Sequence, residues 1–531
     1  MRCDADATVS ESAASPPASP ASARPNPVGR LRWAAKLLLG LRRHDLRAAG
    51  TFARIQYRGQ PLPVRWARFC AWSLRQIFIT IPDAMAGISE SPRVSRTPFW
   101  LDATNPLQNH PWSHDPGAAL PADADTVVIG AGFTGAAAAY HWSRRAPGDR
   151  RLVVLEMDQA ASGASGRNQG TIVMGRYFAM VRDTVGPHLE RLRPDLSAAQ
   201  RRRLAEQFAQ TYCRAAYRNA DLIEQTIRAE GFDVDYARKG WVQERRAEQQ
   251  ADLAESVDAG RRFRCTDWIA IDPERVRDES GMRVEHAAGF SQKAGTWHPA
   301  KWVWSLLATA IKAPNVSFFS RTKVLGVDRT PTGYLVRTDR GSIRAPHVLY
   351  GLESYLVKMD RRFHDVIEPH QEQLASGRGA PGAMPGDNSI TGRFFFGARR
   401  GDVLLVGSDS TRVPDRLAGS CRPSRFLTRF ALSEYKRLYG HFRFQLTHEW
   451  SGTVGYTPDE YPLIGRLDDR GLYMIGGMAG SGSGVAFNAA RCVVNRILEL
   501  TDEPDDYPEA YFAPSRLLDP ANHPWPPVRE S

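Results

Sequence analysis

The stretch TVVIGAGFTGAAAAY, residues 126–140, decides the fold class of this chain of 531 residues. An apolar run, three glycines and an alanine-rich run follow one another, which is typical of a buried strand, a tight turn and a helix. Gly130 permits the turn, Gly132 lets a diphosphate reach backbone N–H groups, and Gly135 lets the helix pack closely on the strand. The unpaired N–H groups at the start of the helix attract the anion.

A second apolar run, RLVVLE, supports this interpretation because it ends in an acid. Glu156 lies 26 residues beyond Gly130, where a carboxylate at the end of the second strand accepts hydrogen bonds from a ribose diol. A glycine-rich turn alone is a weak signal. The succession of strand, turn, helix, strand and acid predicts a Rossmann-type dinucleotide-binding domain.

The later stretches resemble one family of flavoproteins. GASGRNQG, residues 163–170, is similar to the loop that runs along the cofactor in the D-amino-acid oxidase (DAO) family of FAD-dependent oxidoreductases, which includes glycine, sarcosine and putrescine-derivative oxidases. Near the C-terminal end, TPDEYPLIG and GGMAGSGSG resemble the family's segments that return to the flavin ring. The family's Gly-His-Gly reads Gly480-Ser481-Gly482 here, so the resemblance assigns no histidine to that turn.

The glycine pattern and the resemblance together imply one bound FAD. The resemblance implies that it is held without a covalent bond, because the positions where relatives attach flavin carry Arg167, Asn168 and Gly452, which are not usable nucleophiles. The predicted FAD-binding residues are Gly130, Gly132, Phe133, Thr134, Gly135, Glu156, Ser165, Gly166, Arg167, Asn168, Gln169, Val324, Gly477, Gly480, Ser481, Gly482, Ser483 and Gly484.

The resemblance also implies the architecture, an α/β and α+β chain. We expect a Rossmann-type FAD-binding domain with an inserted antiparallel-sheet substrate domain, preceded by a basic helical N-terminal extension. The expected boundaries are 1–29 for a disordered tail, 30–121 for the extension and its connector, 122–200, 290–360 and 446–505 for the discontinuous FAD-binding domain, 201–289 and 361–445 for the substrate domain, and 506–531 for a C-terminal tail.

The resemblance implies an enzyme that oxidises the C–N bond of an amine or amino acid to an imine by hydride transfer to flavin N5. Two alternatives stay open: oxidation of an α-hydroxy acid, and a flavin-dependent tailoring step of secondary metabolism. Ammonia release distinguishes the first alternative from amine oxidation.

Three residues are candidates for binding the substrate. Arg399, with Arg400 beside it, aligns with an arginine that binds the substrate carboxylate in glycine-oxidase-like members. A guanidinium suits a carboxylate because it donates two parallel hydrogen bonds. The alternative is two solvated arginines in a turn. His298 matches a His-Pro of the family, either as a helix cap or as a substrate-binding residue. Leu405 stands at the lysine that sarcosine-oxidase-like members use for oxygen reduction, so a quinone or another electron acceptor rivals oxygen.

Charge is concentrated near the N-terminus. The formal net charge is +12, and residues 28–81 hold eleven Arg or Lys against one acid, Asp45. A partner attracted by charge would therefore meet this segment rather than the body, and no nucleic acid is expected. Six scattered cysteines without a C-x-x-C pair indicate reduced thiols, a cytoplasmic location and no metal site.

Within the basic segment, Leu31, Ala35, Leu38 and Leu41 recur at helical spacing while the basic residues share another face. This pattern predicts an amphipathic helix that packs its apolar face on its own protein. The alternative is peripheral contact of residues 28–81 with an anionic membrane or another partner. The apolar stretches here are shorter than the roughly 20 residues that span a bilayer, so no transmembrane helix is expected.

Overall fold

The computed structural model describes residues 25–41, 45–46, 49–50, 57, 59–110, 118–174 and 178–529. Most of the tail predicted at 1–29 lies outside the described residues. The strands, in chain order, are β1 (Ile88–Ser95), β2 (Thr126–Ile129), β3 (Leu152–Leu155), β4 (Thr171–Ile172), β5 (Trp241–Gln243), β6 (Ile269–Ile271), β7 (Ala288–Ser291), β8 (Gly295–Thr296), β9 (Val316–Phe319), β10 (Val324–Thr330), β11 (Gly333–Thr338), β12 (Gly341–Ala345), β13 (His347–Tyr350), β14 (Glu368–Arg378), β15 (Ser389–Thr391), β16 (Phe395–Arg400), β17 (Val403–Arg412), β18 (Phe444–Tyr456), β19 (Leu463–Arg466) and β20 (Leu472–Gly476).

The α-helices of the described residues are α1 (Pro27–Gly40), α2 (Leu62–Arg75), α3 (Ile81–Ala84), α4 (Phe133–Arg145), α5 (Phe178–Leu192), α6 (Ala198–Glu230), α7 (Gln250–Phe263), α8 (Pro273–Ser280), α9 (Pro299–Ala310), α10 (Leu356–Met359), α11 (Arg425–Tyr439), α12 (Gly482–Ile497), α13 (Glu509–Phe512) and α14 (Ser515–Leu518). The longest, α6, has local signals at both ends: Ser197 and Gln200 form a capping box, and Gly231 ends the helix in the left-handed conformation.

The glycine-rich turn belongs to a six-stranded sheet of order β19-β20-β13-β2-β3-β9. The pairings β20-β13-β2-β3-β9 are parallel, and only β19 runs antiparallel to its neighbour. Both faces are covered, because Val128 and Val154 pack toward α4, α9 and α12 while Val127 and Val153 pack toward the three-stranded sheet β10-β11-β12. Burial on both faces explains the unbroken apolar runs of β2 and β3 and confirms the Rossmann-type prediction.

The second large sheet has nine strands in the order β1-β18-β14-β17-β16-β15-β5-β7-β6. Most neighbours are antiparallel, as expected, but β1 with β18 and β15 with β5 are parallel pairs. Strand β18 lies in this sheet, paired along its length with β14, whereas the boundary expected at 446 assigns its residues to the FAD-binding domain. The sheet to which a strand belongs depends on the strand that it pairs with, and the local sequence pattern does not reveal that partner.

The N-terminal extension is built into the body instead of standing in front of it. Strand β1 pairs with β18 at the sheet edge, and Leu37, Ile81 and Met85 share a buried cluster with Phe430 of α11. Trp100 is buried and its indole N–H donates to the carbonyl of Asn168 at 2.6 Å. Trp100, which belongs to the segment 30–121, therefore supports the loop predicted to carry the cofactor.

Helix α1 packs by a different face from the one predicted. Ala34 and Leu37 are buried, whereas Leu31, Ala35 and Leu38 are exposed. The prediction was wrong because the helix has more apolar residues than one face can hold, and packing on α11 selected the narrower stripe.

The stretch predicted as a C-terminal tail also packs on the body as far as residue 529. Tyr507 and Phe512 are fully buried. Arg516 forms an ion pair with Asp459 at 2.9 Å, and neither side chain is exposed. Helices α13 and α14 thus fasten the segment between β18 and β19, in which Asp459 lies.

Candidate active site

A cavity of about 910 Å³ is lined by residues of both large sheets. Its walls come from the carboxyl ends of β2, β3 and β13, the turn after β20, and one face of the nine-stranded sheet. A size at the upper end of the range for ligand sites suits a cofactor together with a small substrate. In open α/β sheets, ligands bind at the carboxyl ends of the strands, where this cavity lies.

The turn between β2 and α4 requires its glycines for space. Gly130 has φ +101°, and a Cβ built there would lie 2.7 Å from the carbonyl oxygen of Gly351. At Gly132 a Cβ would lie 2.6 Å from Ser165 Oγ, and at Gly135 it would lie 1.8 Å from the Gly130 oxygen. The backbone of this turn can therefore meet a diphosphate at the start of α4.

Glu156 stands at the end of β3 and lines the cavity. Its carboxylate accepts hydrogen bonds from the backbone N–H groups of Ala131 at 2.8 Å and Asp158 at 3.0 Å. Burial raises the pKa of this carboxyl, and the backbone donors oppose the rise. Two accepted bonds leave lone pairs free for a ribose diol.

The loop of residues 163–170 is held by its own polar side chains. The Asn168 amide donates to the carbonyl of Ser165 at 2.7 Å and accepts from the N–H of Gly170 at 2.8 Å. Arg167 donates from Nε to the carbonyl of Ser162 at 2.8 Å. Gln169 Oε1 is buried against the cavity without a hydrogen-bond partner among the described residues. A buried acceptor of this kind indicates a missing donor, which a ligand can supply.

The second glycine-rich turn, after β20, is positioned by Glu353. This carboxylate accepts from the backbone N–H of Met478 at 2.8 Å and of Gly455 at 2.6 Å, so it ties the turn to the end of β18. Burial raises the pKa of Glu353 to about 7. Gly480, with φ +79°, lies where a Cβ would be 3.5 Å from Glu372 Oε1 and from the Tyr456 hydroxyl.

We call residues 130–134, 163–169 and 480–483 the cofactor cradle. Beyond it, the cavity reaches a face of the nine-stranded sheet that we call the substrate end, formed by Trp241, Gln243, Arg245, Thr391 and Phe396. Strands β5 and β15 pair so that Gln243 lies opposite Thr391. The Trp241 indole N–H donates to Thr391 Oγ1 at 3.0 Å, and Arg245 Nη2 donates to Gln243 Oε1 at 3.1 Å.

The structure brings most of the predicted FAD-binding residues together. Those that line the cavity are Gly130, Gly132, Phe133, Thr134, Glu156, Ser165, Arg167, Asn168, Gln169, Val324, Gly480, Ser481, Gly482 and Ser483. Those that do not are Gly135, Gly166, Gly477 and Gly484. A Cβ on Gly166 would lie 2.2 Å from the Ala161 oxygen, and one on Gly477 would lie 2.6 Å from Thr457 Cγ2. These two glycines, like Gly135, permit close packing behind the cradle.

The predicted substrate-binding residues lie outside the cavity lining. Arg399 donates to the carbonyls of Gly401 and Met384 at the far end of the β16–β17 hairpin. Arg400 donates to the Asp235 carbonyl at 2.7 Å and pairs with Asp387 at 3.2 Å. Of the residues of β16, Phe396 lines the cavity, and Arg399 and Arg400 lie at the opposite end of the strand.

His298 caps the N-terminus of α9, which is the first of the two roles expected for it. Its Nδ1 accepts from the N–H of Lys301 at 3.1 Å, and burial lowers the pKa of His298 to about 4. The imidazole is therefore neutral near pH 7. Leu405 is fully buried and also does not line the cavity.

Several cavity residues were missed from the sequence. Glu353 follows the apolar run of β13 and a glycine, a strand-end signal that could have found it. Arg245 lies just past the end of β5, and the alternation Trp241, Gln243, Arg245, all three of which line the cavity, could have indicated it. Glu372 offered no local signal, because its place depends on the pairing of β14 with β17 and β18.

The donors and acceptors of the cavity fit FAD. The start of α4 offers backbone N–H groups to a diphosphate, Glu156 offers acceptors to a ribose, and Gln169, which lines the same cavity, offers an unpartnered oxygen.

The DAO family, described as FAD dependent oxidoreductase, matches residues 125–496. This chain belongs to that family. Among its relatives, the probable oxidoreductase OrdL of Haemophilus influenzae is 21% identical over 393 residues, covering 71% of this chain and 83% of that protein. The gamma-glutamylputrescine oxidoreductase of Escherichia coli is 22% identical over 391 residues, covering 70% and 82%.

Solved structures of two enzymes have a similar fold. Glycine oxidase from Geobacillus kaustophilus matches with a TM-score of 0.57 and 17% identity, covering 74% of this chain and 98% of that one. L-amino acid deaminase from Proteus vulgaris matches with a TM-score of 0.57 and 18% identity, covering 75% and 97%. Among the described residues, every helix is too short or too polar to cross a bilayer.

Proposed function

We propose that this DAO-family flavoenzyme oxidises the C–N bond of an amine that also carries a carboxylate. The observation that carries the proposal is Arg245 at the substrate end, opposite the cofactor cradle. Relatives named for gamma-glutamylputrescine, glycine and L-amino acids support a substrate that contains nitrogen.

Each wall of the cavity has a role in this reaction. When bound, FAD supplies a two-electron acceptor. Arg245 donates paired hydrogen bonds to the substrate carboxylate, and the rings of Trp241 and Phe396 exclude water beside it. Glu372, next to the Gly480 turn, accepts the proton of the substrate ammonium group, so that the nitrogen reacts as a neutral amine.

Non-covalent attachment of FAD is part of the proposal. Gly452 lines the cavity and carries no nucleophile, and a Cβ built there would lie 3.1 Å from the Cβ of Arg167, so a side chain would fit only if Arg167 moved. Acid precipitation of the purified protein should release all of its flavin into the supernatant. Flavin that stays with the precipitate would contradict this, and the thiol of Cys421, which also lines the cavity, would be the residue to examine.

We propose an electron acceptor other than oxygen, such as a quinone. The lysines that line the cavity in the described residues are Lys323 and Lys358; both are exposed, and neither lies on the nine-stranded sheet or at the Gly480 turn. Reduced enzyme mixed with oxygen or with a soluble quinone tests this, and faster reoxidation by oxygen would contradict it. Contact of residues 28–81 with a membrane would leave this chemistry unchanged, because no described residue of that segment lines the cavity.

The function is tested by anaerobic titration of the purified flavoprotein with amines, amino acids and α-hydroxy acids. We expect the flavin band to bleach with an amine that carries a carboxylate, and ammonia or a shorter amine to appear after hydrolysis. Bleaching by a hydroxy acid with a keto acid as product and no ammonia would favour the alternative dehydrogenase. Bleaching only by amines without a carboxylate would refute the role of Arg245.

A further inference from the structure

Exposed apolar side chains are concentrated on the N-terminal helices. Thirteen large hydrophobic side chains are exposed in the part of the chain that the structure describes, and ten of them lie within residues 28–79. The other three, Met157, Met180 and Leu325, line the cavity. Apart from its ligand site, the body therefore buries its large apolar residues, and a contiguous exposed apolar patch marks an interaction surface.

Helix α1 turns its apolar face outward. Its inner stripe is Ala34 and Leu37, while Leu31 is 61% exposed, and Leu39, at 88%, is almost fully exposed. On a helical projection, these leucines lie next to Arg32, which is exposed as well. The helix thus presents apolar side chains bordered by positive charge to the solvent.

Helix α2 also exposes apolar side chains, and none of its residues is buried. Trp66 and Leu74 are about half exposed, and Arg68 and Arg75 of the same helix are exposed as well. The inner contact is made by Trp72, whose ring packs on Phe430 of α11 at 6.0 Å between centroids.

Both helices adjoin the same element. Trp33 of α1 packs under Arg429 of α11 at 5.6 Å, one residue before the contact that Phe430 makes with α2. Both helices therefore pack on adjacent positions of α11, and both lie in residues 28–81, which hold eleven basic residues against one acid.

We propose that the outward faces of α1 and α2 form a docking surface for an anionic membrane. Amphipathic helices with apolar side chains inserted at the headgroup level and Arg or Lys at the border bind anionic lipid in this way. A second copy of the chain fits less well, because two faces of the same high positive charge would be brought together. An aqueous polyanion would leave the leucines and Trp66 without apolar contacts.

The test is flotation of the full-length, FAD-loaded protein with vesicles of phosphatidylcholine alone or with 30 mol% phosphatidylglycerol added. We expect binding only to the anionic vesicles, and a several-fold loss of binding when salt is raised from 50 to 500 mM. The double variant Leu39→Glu with Leu74→Glu should reduce binding at least tenfold. Its flavin content and thermal transition should match those of the wild type, since both side chains point into solvent.

A matched control keeps the change in net charge equal. The double variant Arg203→Ala with Arg261→Ala removes two positive charges from exposed positions of α6 and α7. Its net charge therefore falls by the same amount as in the double glutamate variant, which adds two negative charges. This control should bind vesicles nearly as well as the wild type. If both double variants lost vesicle binding equally, net charge alone would explain the loss, and the proposed docking surface would be wrong.

Two further results would overturn the proposal. One is the absence of binding to anionic vesicles at low salt. The other is concentration-dependent self-association, measured by sedimentation without lipid, that the double glutamate variant abolishes while vesicle binding is unaffected; the surface would then be an interface between copies of the chain. Cys70 on the outward side of α2 is exposed, so a probe attached there, in a Cys3→Ser background, should report burial in the vesicles that bind.

Discussion

The cofactor cradle and the substrate end are two parts of one cavity built in different ways. The cradle presents backbone N–H groups at turns where a Cβ on Gly130 or Gly132 would meet other atoms at less than 3 Å. The substrate end presents the side chains of Trp241 from β5, Phe396 from β16 and Arg245 from the loop after β5.

The difference has a physical consequence. A backbone cradle tolerates few substitutions, because any side chain occupies the space of the ligand or of the neighbouring turn. A substrate end made of side chains can change specificity by single substitutions while the fold is kept. We therefore expect substitutions in the cradle to remove FAD, and substitutions at the substrate end to change substrate affinity only.

The largest effect is expected from Gly135→Val, which breaks the cradle from behind. Its Cβ would lie 1.8 Å from the Gly130 carbonyl oxygen, and two backbone segments would have to separate. We expect a destabilisation of more than about 3 kcal/mol and loss of bound FAD, measured by flavin absorbance and denaturant unfolding. Gly148→Val is the control, because a Cβ there meets nothing within 4 Å. An FAD-loaded Gly135→Val protein of normal stability would contradict the packing.

Next comes Arg516→Ala, which removes the support of the segment before β19. The variant leaves Asp459 charged, buried and unpaired, and such losses cost about 3–5 kcal/mol. Arg329→Ala, which breaks the exposed pair with Asp469, should cost at most about 1 kcal/mol. Chemical unfolding measures the loss of unfolding free energy in each variant. Equal losses would mean that the burial of an ion pair does not determine how much it stabilises the protein.

Arg245→Ala should affect the substrate end alone. We expect the Kd of a carboxylate substrate to rise at least tenfold, or about 1.4 kcal/mol, with FAD content unchanged. Arg399→Ala is the matched control on the same sheet, because Arg399 donates to the carbonyls of Gly401 and Met384 instead of facing the cavity. A larger effect at Arg399 than at Arg245 would restore the alignment-based assignment.

The smallest effect concerns the pH dependence of stability at Glu353. Its pKa is raised by burial from 4.5 to about 7, so the folded state holds this proton more tightly than the unfolded state does. The stability that this carboxyl contributes is therefore complete below pH 4.5 and is lost as pH rises through 7. In Glu353→Gln, the difference from the wild type in unfolding free energy should change between pH 4.5 and 7 and stay constant above. A difference that is independent of pH would show that Glu353 titrates normally.

Local motifs account for what the sequence revealed. The strand, turn and helix of residues 126–140, the acid at 156 and the two later glycine-rich stretches each specify the backbone of contiguous residues, so the family and most of the cradle were predictable. Arg399 and Leu405 were assigned by comparison with relatives, and neither lines the cavity, because the positions of β16 and β17 that face it depend on how the whole sheet packs. Glu372 could not be predicted, because its place depends on strand partners that are distant in sequence.

The sequence by itself determined a family, a cofactor and a cradle, because glycine spacing dictates backbone shape within a few residues. Only the tertiary structure decided which arginine lines the cavity, that the described parts of residues 30–121 and residues 506–529 pack on the body, and which face of α1 is left exposed. These outcomes depend on strand partners and helix contacts separated by up to several hundred residues, where many pairings satisfy the same local pattern and packing of the whole core selects one.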